Sequence, residues 1–132
     1  MISMPSPPAP KPEFTCAVKV QYLADQSSPP DGPFAFAYTV TITNTGNITA
    51  QLLARHWIVT NASGQREDVR GLAVVGHQPL LKPGEHFEYT SGTRIDTPHG
   101  SMRGTFFCMT ELAHPFDAAV PEFGLALASS LH

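Results

Sequence analysis

A glycine-bounded segment of the chain has residue types that occur in phosphate-binding loops. Residues 71–76 read GLAVVG, a degenerate form of the GxGxxG pattern with Ala73 at the middle glycine position. In a dinucleotide-binding loop, that glycine lets the backbone approach a pyrophosphate, and the loop leads from a strand into a helix N-terminus. Here His77, Gln78 and Pro79 interrupt any helix. The segment is therefore more typical of a loop that crosses between two sheets.

A second candidate site for binding an anion is the run of three residues Arg55, His56 and Trp57. On a strand, Arg55 and Trp57 point to one face and His56 points to the other. If Trp57 is in the core, Arg55 must reach the rim or pair with an acid, because an unpaired buried charge is costly. Two interpretations stay open. Arg55 binds an anion beside residues 71–78, or it holds a loop through hydrogen bonds to carbonyl groups.

Metal binding has a weak sequence signal. None of the six histidines stands in an HExxH motif or in a cysteine-rich cluster. His86 and Glu88 are two residues apart and share one face of a predicted strand, so they could supply two ligands. Two ligands are too few for a site, and a hydrated strand face explains the same pair. We predict no cofactor.

Catalytic groups are equally sparse. Ser91, Thr97 and Ser101 have Asp96 and His99 nearby in sequence, and a nucleophile needs a base and an orienting group within reach. The run Asp-Thr-Pro-His-Gly at 96–100 is more simply a turn, in which the aspartate accepts backbone N–H groups. We therefore expect a protein without enzymatic activity.

The bulk properties of the chain restrict its partners and its surroundings. The 132 residues suit one domain, and the formal charge of −3 with eight scattered Lys and Arg residues disfavours binding to nucleic acids. No apolar run is long enough to span a bilayer, and no signal peptide is visible, so we expect no membrane insertion and a cytoplasmic location. Cys16 and Cys108 are then expected to be free thiols.

The elements that must position these residues are β-strands. Alternation is clearest at Phe34, Phe36, Tyr38, Val40 and Ile42, with threonines on the opposite face. Similar patterns predict about seven strands in two antiparallel sheets, an all-β sandwich of the immunoglobulin or fibronectin-III-like kind. The strand over residues 50–60 is predicted to be central, with Leu53, Trp57 and Val59 on one face and Leu52, Ala54, His56 and Ile58 on the other.

Three further expectations concern the ends and turns of the chain. Residues 1–13 contain five prolines, which predicts a flexible tail before a domain over residues 14–128. Residues 82–85 read KPGE, which fits a type II turn. Residues 116–127 carry apolar residues at helix-like offsets, yet Pro121 and Gly124 favour a bulged strand there.

Several separate motifs carry a resemblance to a known family. They read AQLLARHW at 50–57, VVGHQP at 74–79, PGE at 83–85, GTRIDTP at 92–98 and GSMRG at 100–104. In this order they closely resemble the ApaG family over nearly all of residues 14–127. The resemblance implies a fibronectin-III-like sandwich without known enzymatic activity. It also implies the labels of cobalt resistance and magnesium efflux, and a protein-binding role as in eukaryotic relatives.

Our first hypothesis is a protein-interaction adaptor, linked indirectly to cobalt and magnesium homeostasis. Its surface is predicted to combine residues 71–79 with residues 91–102, where exposed Val74, Val75 and Ile95 supply apolar contact area. The alternative is a sensor of a nucleotide or polyphosphate, suggested by the family's gene neighbours. The candidate partner- or ligand-binding residues are Arg55, His56, Gly71, Val74, Val75, Gly76, His77, Gln78, Ser91, Gly92, Arg94, Asp96, Thr97 and Arg103.

Overall fold

The structure is a computed structural model that describes residues 8–127. Its elements are eight strands and one short 3-10 helix at Ala24–Gln26. The strands are β1 Phe14–Tyr22, β2 Phe34–Asn44, β3 Ala50–Asn61, β4 Arg66–Leu72, β5 Leu80–Leu81, β6 His86–Ile95, β7 His99–Thr110 and β8 Pro115–Ala126. Within residues 8–127, no helix is long and apolar enough to cross a membrane.

The strands form two antiparallel sheets that pack as a sandwich. The smaller sheet has the order β1-β2-β6, and the larger has the order β4-β3-β7-β8, with β5 added to the start of β3. The sandwich is closed on one side, where β1 approaches β8 and the rings of Phe14 and Phe116 meet edge to face at 5.4 Å. The predicted all-β, fibronectin-III-like sandwich is confirmed, with eight strands rather than seven.

The core lies between the two sheets and is centred on Trp57. Its ring contacts Tyr38 at 5.4 Å, Phe106 at 5.7 Å and Phe123 at 6.1 Å between ring centroids. Gly104 on β7 faces the indole so closely that a Cβ atom there would lie 2.5 Å from Trp57 Cε3. The alternating side chains of β2, from Phe34 to Ile42, are buried as predicted. The core is therefore an aromatic cluster. β7 has a glycine, without a side chain, at the point where it approaches the indole most closely.

Two β-bulges change which residues face the core. In β3 the register against β7 shifts between Leu52 and Ala54, so that Leu53 is the extra residue. Leu52 is consequently buried with Trp57, and Leu53 is not, which is the reverse of the predicted assignment. The predicted bulge in the last strand is confirmed. From Met102 to Gly104 is two residues along β7, whereas the paired positions Phe123 and Val120 are three residues apart along β8. An extra residue there moves the apolar side chains to helix-like offsets.

Other local predictions can be compared directly with the structure. The segment 82–85 forms its turn, with Gly84 at φ 87° and Glu85 N–H donating to Lys82 O at 2.9 Å. The polar strand after β3 is at an edge of its sheet, as its charges predict. Part of the predicted tail is described: Asn47 N–H donates to Lys11 O at 3.1 Å, and its side chain bonds Ala9 O. Residues 1–7 lie outside the described residues.

A buried asparagine joins the two sheets at the β2–β3 turn. The Asn44 side-chain amide donates to Ile48 O and Leu81 O, both at 2.9 Å, and its oxygen accepts the Gly46 N–H at 3.0 Å. Its side chain is thus the only polar link described here between the turn and the short strand β5. Because Asn44 is buried, the carbonyls it satisfies have no access to water in its place.

Replacing Asn44 with alanine is expected to lower the free energy of unfolding by about 3 kcal/mol, because two buried carbonyls lose their donor. Urea unfolding followed by tryptophan fluorescence measures the change. Gln21→Ala, at an exposed position of β1, is the control and is expected to change stability by less than about 0.5 kcal/mol. Equal effects of the two substitutions would contradict the role of Asn44.

Candidate partner-binding site

The loop after β4 is a tight turn anchored by one buried side chain. Val74 N–H donates to His77 O at 2.8 Å, and His77 N–H donates to Val74 O at 2.9 Å. Val75 and Gly76 between them have φ values of 48° and 80°, which is the geometry of a type I′ turn. Val74 is fully buried in the core, and Val75 stands at the tip with 57% of its surface exposed. The turn therefore presents one apolar side chain to solvent.

Neighbouring side chains fix the base of the turn. Gln78 Nε2 donates to Leu53 O at 3.0 Å, and Gln51 Nε2 donates to Gln78 O at 3.0 Å. The His77 ring lies 5.5 Å from the ring of Phe87 at the start of β6. His77 and Gln78 thus position the loop through contacts within the chain.

Arg55 holds the end of β4 in place. Its Nη1 donates to Leu72 O at 2.7 Å and to Ala73 O at 2.9 Å. The guanidinium lies directly over Gly71, where a Cβ atom would come within 2.8 Å of both terminal nitrogens. Of the two interpretations left open by the sequence, this geometry matches the one in which Arg55 holds a loop through carbonyl groups. The glycine at position 71 provides room for that guanidinium and not for a pyrophosphate.

His56 points to the opposite side of β3 and joins an ionic network. Its Nε2 lies 2.9 Å from Asp68 Oδ2, and Arg66 Nε donates to Asp68 Oδ1 at 2.8 Å. The hydrogen bonds from Arg66 and then from His56 hold the pKa of the Asp68 carboxyl well below its usual range. All three side chains lie on the outer face of the larger sheet, toward the far end of β4.

An apolar area covers the other end of that outer face. Strand pairing aligns Leu72 of β4, Ala54 of β3, Phe107 of β7 and Asp117 of β8 in one row across the sheet. Leu80 of β5 and Met109 of β7 flank Gln51 in the next row. Leu72 is 77% exposed, Leu80 61% and Phe107 42%. We call the set Leu53, Ala54, Leu72, Leu80, Phe107 and Met109 the outer apolar face.

The outer apolar face contains a shallow groove of about 570 Å³. Its walls are Leu72, Ala54 and Phe107, and its rim carries Arg70, His56 and Asp117. Apolar walls with a few charges at the rim are typical of surfaces that bind other molecules. Sequence reasoning missed this groove because it assigned residues 71–76 to a loop, whereas β4 extends to Leu72.

The predicted binding surface is not one surface. Residues 71–78 lie where β3 begins, whereas Thr97 accepts the Ala62 N–H at 2.9 Å beyond the end of β3. The two segments are thus separated by roughly 23 Å of strand. Val74 and Ile95, predicted to be exposed, are both buried, because each packs into the core between the sheets. Val75 alone among the three predicted apolar contacts is exposed.

The remaining predicted residues are scattered over the fold. Ser91 and Gly92 pair with Tyr38 and Ala37 inside the smaller sheet. Arg94 and Asp96 line a charged hollow of about 210 Å³ at the far end of the sandwich. Arg103 lies on the outer face of the larger sheet, paired across the strands with Ile58.

Groups that could bind metal or act as nucleophiles are held in structural roles. Among residues 8–127, no three His, Cys, Asp or Glu side chains are grouped so that they could hold an ion. Glu88 accepts the Thr41 hydroxyl at 2.9 Å beside His86 on an exposed strand face. Burial raises the pKa of the Cys16 thiol to about 11 and that of Cys108 to about 12, which keeps both protonated at neutral pH.

Substituting Gly71 with alanine is expected to push the Arg55 guanidinium off the Leu72 and Ala73 carbonyls. The free energy of unfolding should fall by about 1–2 kcal/mol, because the displaced hydrogen bonds come from a charged donor. In an Arg55→Ala background, the same substitution should cost almost nothing, since the obstructed group is gone. Gly124→Ala, where a Cβ atom meets nothing within 4 Å, is the control.

Replacing Val75 with asparagine is expected to raise the free energy of unfolding by about 1 kcal/mol. A β-branched residue at positive φ is strained, and asparagine adopts that conformation more readily. Thermal unfolding of Val75→Asn against Val75→Ala separates backbone relief from the loss of an apolar side chain. A lower melting temperature for the asparagine variant would contradict the strain at this position.

Comparison with known proteins places the chain in one family. The sequence pattern of the ApaG domain matches residues 24–110. The Protein ApaG of Ralstonia nicotianae is 53% identical over 120 residues, covering 91% of this chain and 97% of that protein. The Protein ApaG of Acidovorax sp. is 56% identical over 118 residues, covering 88% and 86%.

Solved structures agree with the sequence matches. The crystal structure of an ApaA protein from Bordetella pertussis is 49% identical, with a TM-score of 0.87, and the match covers 92% of this chain and 98% of that one. A second X-ray structure, 42% identical, has a TM-score of 0.85 over 91% of each chain. With the domain pattern covering more than half of its length and relatives at this identity, the chain belongs to the ApaG family.

Proposed function

We propose that this protein is a non-enzymatic binding module of the ApaG family whose outer apolar face docks another protein. The observation that carries the proposal is the convergence of Leu72, Leu80 and Phe107 on one end of one sheet. Single exposed apolar residues are common, but large exposed side chains grouped in a row are characteristic of interaction surfaces. This replaces the surface that the sequence predicted between residues 71–79 and 91–102.

The chemistry around the outer apolar face supports a protein partner. Arg70 is exposed at the rim of its groove, and arginine is enriched at protein interfaces. Phe107 lies near the middle of the sheet, since β7 is flanked by β3 and β8. An aromatic residue at the centre with charged groups around it is the usual anatomy of a binding hot spot. Val75, at the tip of the turn after β4, is a further exposed apolar side chain.

The same structure gives less support to a nucleotide or polyphosphate sensor. That hypothesis needs Arg55 and free backbone N–H groups to converge on one pocket. Arg55 instead donates to Leu72 O and Ala73 O, and the N–H groups of Val74 and His77 bond within the turn. An indirect link to cobalt and magnesium homeostasis, in a cytoplasmic setting, would operate through the partner protein.

A capture experiment with matched variants tests this proposal. Purified wild-type protein, the double variant Leu72→Ser/Phe107→Ser and the control Leu112→Ser are each immobilised and exposed to native cell extract. Leu112 is a leucine of similar exposure in the turn between β7 and β8, outside the outer apolar face. A partner retained by the wild type and by Leu112→Ser should bind the double variant at least about tenfold more weakly.

Two titrations decide between this function and its alternatives. ADP, ATP and diadenosine polyphosphates are expected to leave the amide NMR spectrum unchanged, and cobalt or magnesium salts to leave the melting temperature unchanged. Localised shifts over residues 71–78 on adding a nucleotide would contradict the proposal in favour of the sensor. A partner captured equally by all three proteins would also contradict it.

A further inference from the structure

β4 is one of the two edge strands of the larger sheet, and the other, β8, lies against β1 of the smaller sheet. β4 pairs with β3 from Arg66↔Thr60 to Leu72↔Ala54. On its other side, β4 pairs with no strand of residues 8–127. A strand edge of this kind presents backbone donors and acceptors that another extended chain can use.

The pairing pattern identifies which backbone groups are available. At one end of the ladder, Asn61 N–H donates to Gln65 O at 3.0 Å, and at the other end, Ala73 N–H donates to Leu53 O at 2.8 Å. Bonded pairs alternate along an antiparallel ladder, so the odd-numbered residues between them bond to β3. The even-numbered residues therefore turn their N–H and C=O groups outward, namely Arg66, Asp68, Arg70 and Leu72.

The two halves of this edge differ in their side chains. Asp68 is occupied by Arg66 and His56 at 2.8 and 2.9 Å, so the first half of the edge is internally neutralised. In the second half, the described residues give Arg70 neither an ion pair nor a hydrogen bond, and Leu72 is 77% exposed. The side chains of the first half are already bonded to one another, so the half with Arg70 and Leu72 is the one whose side chains can engage a partner.

Arg55 holds the half of β4 with Arg70 and Leu72 in an extended conformation. By donating to Leu72 O, its guanidinium satisfies the last outward carbonyl of β4 and keeps the strand extended to that residue. The N–H of Leu72 and both backbone groups of Arg70 remain on the outward side. Three backbone groups are thus available beside one free cation and one exposed leucine.

We propose that the free edge of β4 binds an extended segment of a partner protein by strand addition. The segment carries an apolar side chain beside Leu72 and an acidic side chain two residues away, beside Arg70. This inference rests on the proposed function and names the chemistry of the partner. In an added strand, alternate side chains point to the same face, so the apolar one packs against Leu72, which forms the wall of the groove nearest to the free edge.

Charge complementarity selects this occupant over a second copy of the chain. In a second copy paired through the same strand, Asp68 is the acidic residue that could face Arg70, but it is already bonded to Arg66 and His56 of its own chain at 2.8 and 2.9 Å. An acidic, apolar peptide instead neutralises Arg70 and covers Leu72 at once. Specificity comes from these two side chains, and the backbone groups contribute the sequence-independent part of the affinity.

The test uses fluorescein-labelled nonapeptides of alternating threonine and serine that contain one leucine and one glutamate two residues apart, in both orders. Binding to the full chain is measured by fluorescence anisotropy and by amide NMR shifts. The expected shifts concentrate on Arg70 and Leu72. Replacing the glutamate by lysine should weaken binding about tenfold.

A charge exchange provides the internal control. Arg70→Glu, at an exposed position, should lose the glutamate peptide and gain the lysine peptide, while Arg94→Glu should keep the original preference. The inference is overturned if neither peptide order binds, if the charge of the peptide has no effect, or if the shifts lie elsewhere. It is also overturned if sedimentation shows dimers that Arg70→Glu abolishes.

The outcome can be separated from that of the proposed function. If the peptides fail while Leu72→Ser/Phe107→Ser still loses a captured partner, the outer apolar face binds a folded surface and strand addition is wrong. If both fail, the proposed function is wrong as well.

Discussion

A guanidinium lying over a glycine determines where the edge of the larger sheet ends. Because Arg55 reaches across Gly71 to the carbonyls of Leu72 and Ala73, β4 stays extended to Leu72 before the chain turns. The turn then places Val74 in the core and leaves Leu72 outside. The exposure of Leu72, which forms one wall of the groove, follows from this one position. An arginine on the core side of a strand thereby shapes the surface on the solvent side.

The fold could be predicted from the sequence because alternation and turn chemistry agree along most of the chain. The strand from Phe34 to Ile42 and the turn at Gly84 each leave one reasonable interpretation. The surface could not be predicted in the same way. Leu52 and Leu53 are chemically identical neighbours, so only the pairing partner on β7 decides which one is the bulged residue. That one-residue shift transferred a leucine from the predicted core to the outer face.

The turn after β4 shows the same limit of prediction from sequence, here between two adjacent residues. Val74 and Val75 are also identical neighbours, and the sequence predicted both to be exposed contacts. The reversal of direction within the type I′ turn buries one and exposes the other. The prediction for Arg55 was better, because burial of a charge beside Trp57 leaves few solutions, and holding carbonyl groups was one of them. Constraints that involve a costly charge can be read from sequence more reliably than choices between equal apolar residues.

The conformation of Val75 connects the stability of the turn with its role at the surface. A β-branched residue at φ 48° is unfavourable by itself, and it persists because Val74 and the bonds to His77 determine the turn around it. Glycine or asparagine would fit the same turn with less strain but would remove an exposed apolar side chain. Folding alone therefore disfavours valine at this position, whereas the partner contact that we propose would favour it. The strained residue is consistent with a surface shaped by binding rather than by stability.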